Sequence, residues 1–150
     1  MQYYDDIEVG ETREYGDYHV PKEEIIEFAK QYDPQPFHTD EEAAKDSLFG
    51  ELVASGWHVA AICMRLSADG MGEEYATIAG IGVDELRWKN PVAPDDTLSL
   101  RVEIVDKQPS ESKPDRGHIE TLREVTNQDG DIVLSMIGLS LVERKRTEND

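Results

Sequence analysis

The chain has 150 residues, 33 of them acidic and 15 basic, giving a net charge of −18, a pI near 4.4 and a mean hydropathy of −0.60. Such a surface repels duplex DNA and anionic membranes, and no apolar run approaches the ~18 residues of a membrane span. The single cysteine, Cys63, excludes an intrachain disulfide and any multi-cysteine metal site.

Met1-Gln2-Tyr3-Tyr4-Asp5-Asp6 has neither the positive start nor the apolar stretch of a signal peptide, so a cytoplasmic protein is expected. Asp5 to Tyr18 reads as a strand or hairpin. Pro21 then opens a helix, PKEEIIEFAKQYD, in which Glu23 and Glu24 sit at the positive end of the dipole. It must stop near Tyr32, because Pro34 and Pro36 disfavour helical backbone in the residues before them. Asp33 to Asp40, DPQPFHTD, is therefore a stiff loop, followed by a short acidic helix, Glu41 to Asp46.

Leu52 to Ala68 contains no Asp or Glu, in a chain where 33 of 150 residues are acidic. Apolar residues surround this segment on every side, and a helix apolar all round is buried all round. The remainder supplies four strand-like segments, 76–88, 97–107, 117–126 and 131–143. Leu98, Leu100, Val102 and Ile104 alternate with polar residues as in a half-buried strand, whereas 131–143 is apolar on both faces. Turn signals at Asn90-Pro91, Ala93-Pro94-Asp95-Asp96 and Asn127-Gln128-Asp129-Gly130 separate the strands. Low hydropathy can also mean disorder, but a disordered chain has no reason to keep such periodicity. The expectation is one α+β domain, 1–150, with a frayed tail at 144–150. A curved antiparallel sheet wraps a central buried helix, the hot-dog architecture.

With a folded core, the acid excess is a surface property. Lysine is sparse, 7 residues against 15 Asp and 18 Glu, a balance suited to molar salt, where the Debye length falls to roughly 3 Å. Thermal stability is therefore expected to rise between dilute buffer and molar KCl; an unchanged or lower melting temperature would contradict a halophilic protein.

Asp33 and His38 set a carboxylate and an imidazole five residues apart in a loop stiffened by two prolines. The pair suits proton transfer near neutral pH. The spacing alone better fits Asp33 as a cap beyond a helix end and His38 as a surface loop residue. Ser55 is a good N-cap for the acid-free helix, and Gly56 leaves its first N–H open to a ligand oxygen. His19, His38, His58 and His118 show no HxxxH or HxH spacing, so no metal site is expected. His58 is placed as a satisfied core or rim residue, Trp57 and Trp88 as core or pocket walls, and Cys63 as inert packing.

DPQPFHTDEEAAKDSLFG, ASGWHVAAICMRL, LRWKNPVAPDDTLSLRVEIV and SKPDRG, in that order, resemble the MaoC-like acyl dehydratases, which include the (R)-specific enoyl-CoA hydratases. The resemblance implies reversible syn addition of water to a trans-2-enoyl thioester, giving an (R)-3-hydroxyacyl thioester. It implies that Asp33 takes a proton from water, that His38 orients the water and shuttles a proton to the α-carbon, and that the Gly56 amide polarises the thioester carbonyl. No metal or redox cofactor is implied; coenzyme A enters only as part of the substrate. Gln35, Ser55, Met64 and Asp95 depart from the family pattern, which commonly has Asn, His, Ser and Gly there. Gln35, Ser55 and Trp57 are the expected substrate contacts. Lys113 and Arg116 are the expected phosphate contacts for coenzyme A, ahead of Arg87 and Lys89. The family also implies at least a homodimer, with active sites at the interface. A hot-dog thioesterase is the first alternative, disfavoured because 52–68 carries no carboxylate; a non-catalytic acyl-CoA binding module is the second.

Overall fold

A computed structural model of the chain describes residues 1–145. Five strands, β1 (Thr12–His19), β2 (Thr77–Trp88), β3 (Thr97–Pro109), β4 (Arg116–Thr126) and β5 (Ile132–Glu143), form one antiparallel sheet in the order β1-β3-β4-β5-β2. The helices α1 (Lys22–Tyr32), α2 (Pro36–Thr39), α3 (Glu41–Lys45) and α4 (Gly56–Glu74) all lie between β1 and β2 in sequence. Register shifts in β3 and β2 bend the sheet, as bulges do, and α4 packs in its hollow. This is the hot-dog fold.

Alternation builds the core. Leu98, Leu100, Val102 and Ile104 of β3 are buried, as are Ile119 and Val125 of β4 and Val133, Leu134 and Met136 of β5. All but Ile104 and Ile119 meet Val59, Ile62, Cys63 and Leu66 of α4, with Ile25 of α1 beside them, while Ile104 and Ile119 join Tyr4, Ile7 and Tyr75 in a second cluster. Each large aliphatic side chain so buried contributes about 1.5–3 kcal/mol. Burial also pushes the Cys63 thiol up to about 11, in keeping with inert packing.

Three local expectations change. The stiff loop contains one helical turn, α2, because Pro36 sits where a helix needs no N–H. The central helix starts at Gly56 and runs on to Glu74, while Leu52–Ser55 is buried non-helical chain leading into it. It is also not buried all round. His58, Val59, Ile62, Cys63, Leu66 and Ser67 are covered, but Trp57, Ala61, Met64 and Ala68 form an exposed apolar face. One sheet covers only one side of a helix; the apolar residues on the other side face outward beside β2. That strand is an edge, with Ile78, Ile81 and Val83 exposed.

The chain end is held further than its composition indicated. Arg144 donates to the Asp5 carboxylate at 2.7 Å, and Lys145 pairs with Asp6 at 2.6 Å. Residues 146–150 lie outside the described residues. Asp95, which replaces a family glycine, has φ +70°, a left-handed conformation that Asp tolerates better than most residues.

Candidate active site

α1 ends at Tyr32, and the Asp33 N–H closes the last turn on the Ala29 carbonyl at 2.8 Å. Pro34 and Pro36 then turn the chain, so that α2 carries His38 back beneath Asp33. His38 is buried and donates from Nδ1 to the Val53 carbonyl at 2.7 Å. In the neutral imidazole that bond keeps the proton on Nδ1, so the Nε2 lone pair faces Asp33 Oδ2 at 3.4 Å.

Asp33 is held from two sides. The Gln35 side-chain amide donates to Oδ1 at 2.6 Å, and the Ser55 hydroxyl donates to Oδ2 at 2.7 Å. Ser55 also accepts from the Trp57 N–H at 3.2 Å, capping α4. One hydroxyl thus ties the carboxylate to the N-terminus of the central helix. Burial acts to raise the Asp33 pKa, but the bonds from Gln35 and Ser55, with His38 nearby, outweigh it and lower it. Asp33 is therefore ionised at neutral pH. Its stabilising contribution is full above the ordinary carboxylate pKa of about 3.9 and is lost as pH falls through the depressed value.

Ser55→Ala should raise the Asp33 midpoint, read by carboxyl carbon NMR, and cost roughly 1 kcal/mol as a lost cap, read by urea unfolding. An unmoved midpoint would show that Ser55 does not hold the carboxylate.

A cleft of about 440 Å³ opens over this pair, lined among others by Asp33, His38, Gly56, Trp57, Trp88 and Lys89. Gly56 is the first residue of α4, so its N–H has no intrahelical acceptor. Trp88 closes on it: the indole N–H donates to the Gly56 carbonyl at 2.7 Å, and a β-carbon on Gly56 would clash with the indole ring. Trp57 meets Trp88 edge-on, with centroids 5.1 Å apart. The cleft thus joins an ionised carboxylate, an imidazole lone pair, a helix N-terminus and aromatic walls.

Asp33, His38, Gly56, Gln35, Ser55 and Trp57 come together here. Lys113 and Arg116 do not. Arg116 pairs with Glu143, whereas Trp88 pairs with Leu134, nine residues along β5 and about 30 Å away. Arg116 is also engaged with Asp115 at 2.9 Å. The cleft's own cation is Lys89. The Val53 carbonyl, which orients His38, left no mark in the sequence, because a backbone acceptor carries no residue signature. Trp88 did, as an aromatic beside a cation at a strand end. His58 is buried against Phe28, with Nε2 3.1 Å from Glu24 Oε2. Burial, opposed by Glu24, lowers its pKa, and its Nδ1 has no partner among the described residues.

The model of the MaoC-like domain matches residues 6–127. The chain belongs to the MaoC-like dehydratase family. The MaoC-like dehydratase from Rhodospirillum rubrum is 37% identical, with a TM-score of 0.89 over 98% of this chain and 100% of that one. The (R)-hydratase PhaJ1 from Pseudomonas aeruginosa is 26% identical, with a TM-score of 0.73 over 95% of this chain and 86% of that one. The uncharacterised protein YdeM of Bacillus subtilis is 34% identical over 109 residues, 73% of this chain and 77% of its own length. Family membership and the (R)-hydratase neighbour place this MaoC-like protein among enzymes of the hydro-lyase kind. No helix among its described residues is long and apolar enough to cross a membrane.

Proposed function

We propose that the protein reversibly hydrates trans-2-enoyl-CoA to (R)-3-hydroxyacyl-CoA in the cleft over Asp33 and His38. One observation carries this. Asp33 Oδ2 and His38 Nε2 both present lone pairs across a 3.4 Å gap beside a free helix-terminal N–H. Two acceptors so placed call for a water that donates one hydrogen to each, leaving its own lone pairs for C3 of the substrate. Asp33 takes a proton, the oxygen bonds to C3, and the electron pair moves through C2 to the thioester oxygen. The Gly56 N–H holds that enolate oxygen. The proton then passes from Asp33 to His38 Nε2 and on to C2, on the face the water attacked. Water is consumed, both residues are restored and the thioester stays intact. Loss of 2-enoyl absorbance, screened across chain lengths in molar KCl, tests the assignment; no loss with any chain length would refute it. Against thioester hydrolysis, the first carboxylate on α4 is Asp69, thirteen residues beyond Gly56 and about 20 Å along the helix.

The active form is a homodimer built through the exposed apolar face of α4 and the β2 edge. An uncovered apolar strand edge invites pairing. Antiparallel pairing of two β2 edges would set the Thr77 end of one copy beside the Trp88 end of the other. Lys113 and Arg116 of the second copy then come toward the cleft, joining Lys89 on the phosphates of coenzyme A. Light scattering should give at least a dimer for the wild type and a monomer for Ile81→Asp/Val83→Asp; a monomeric wild type would contradict the interface. Neutralising Lys113 and Arg116 together should raise KM with kcat nearly unchanged, and a pure kcat loss would remove them from the carrier site.

A further inference from the structure

Arg123 lies on the inward face of β4, between Thr121 and Val125, and is only 7% exposed. A cation there is costly unless it is paired and hydrogen-bonded. Its Nε donates to Thr121 Oγ1 at 3.0 Å and its Nη1 to Ser67 Oγ at 2.8 Å. Ser67 in turn donates to the Cys63 carbonyl at 2.7 Å, so the hydroxyl is fixed. No carboxylate stands within salt-bridge distance of Arg123 among the described residues. A guanidinium has five N–H donors, and these bonds use two. The backbone is cleared for it: a β-carbon on Gly138 would sit 3.0 Å from Nε.

Arg123 also lines a second cleft, of about 130 Å³, between α4 and the β2–β5 side of the sheet. Met64, Ala68 and Met71 give it apolar walls, while Ser140 and Thr77 add hydroxyls. Ser67 is eleven residues along α4 from Gly56, about 16 Å, so this is not the Asp33–His38 cleft. The diffuse field of a −18 chain eases a buried cation but offers it no acceptor.

We propose that this cleft is a binding site for a short-chain carboxylate, held end-on by the free guanidinium hydrogens of Arg123 with its alkyl group against Met64, Ala68 and Met71. A carboxylate matches the planar fork with two parallel bonds. The small chamber with its apolar walls suits an acid of a few carbons, and its single cation matches one carboxylate charge.

Calorimetric titration of propionate into the full chain, in chloride-free buffer, tests this. Saturable binding is expected in the wild type. It should weaken at least tenfold in Arg123→Met, which keeps bulk in the core, and in Ser140→Leu, which fills the chamber from β5 and leaves both Arg123 and the α4–β2 dimer face intact. Absent wild-type binding, or equal binding in both variants, would overturn the site. Chloride binding as tightly as propionate would overturn the carboxylate assignment. A silent wild type combined with a weaker dimer in Arg123→Met would overturn it too, because the carboxylate would then belong to a second copy. Enoyl hydration is not the readout, so failure here leaves the Asp33–His38 assignment untouched.

Discussion

Asp33→Ala and His38→Ala should each lower kcat/KM for 2-enoyl-CoA hydration by about 10²–10⁴, the range for a lost general acid or base. The loss should fall on kcat, because neither residue is needed to hold coenzyme A. The two variants should also differ. His38 occupies the Val53 carbonyl, so its removal leaves a buried acceptor unpaired at a cost of roughly 1–3 kcal/mol. Asp33 is half-buried and its two donors, Gln35 and Ser55, can turn to water, so Asp33→Ala should unfold nearer to wild type in urea. The double variant should be little worse than either single one, since the pair handles one proton between them. Additive losses would mean two independent roles and would contradict the shared water.

Gly56→Ala should be the second severe change. Its β-carbon would clash with the Trp88 indole, so either the indole or the start of α4 must move. Overpacking of this kind costs about 1–3 kcal/mol. Displacing the N–H aimed at the thioester oxygen should cost ~10²–10³ in kcat, the worth of one oxyanion donor. Trp88→Leu removes the obstacle. Gly56→Ala/Trp88→Leu should therefore recover at least tenfold over Gly56→Ala while losing the aromatic wall. No recovery would show that the glycine serves something other than clearance beneath Trp88.

Much of the fold was legible because burial leaves periodic marks. The alternation of Leu98, Leu100, Val102 and Ile104 marks β3, and the acid-free run marks the helix that the sheet encloses. At α4 the same apolar pattern marks more than the core. Hydropathy reports that a side chain avoids water without saying which chain shields it, so Met64 and Ala68 looked like core and are an exposed face. The Asp33–His38 pair was legible because two prolines leave the intervening backbone few conformations. Gln35 and Ser55 read as substrate contacts, and that reading did not show that their side chains hold Asp33. A hydroxyl's partner depends on a contact 22 residues away in sequence, which no local pattern encodes. Lys113 and Arg116 illustrate the same limit: a basic pair is visible in sequence, but its distance from the cleft is set by strand order. Arg123 was readable in principle, since Ile119, Thr121, Arg123 and Val125 share one face of β4.

The most direct test follows one reaction mixture by two signals at once: 2-enoyl absorbance and free thiol, with wild type and Asp33→Ala in parallel. The wild type should remove the enoyl absorbance, release no thiol and yield the (R)-3-hydroxyacyl thioester, while Asp33→Ala should leave the absorbance standing. Thiol release with the enoyl group untouched, or hydration undiminished in Asp33→Ala, would contradict a hydratase built on Asp33 and His38.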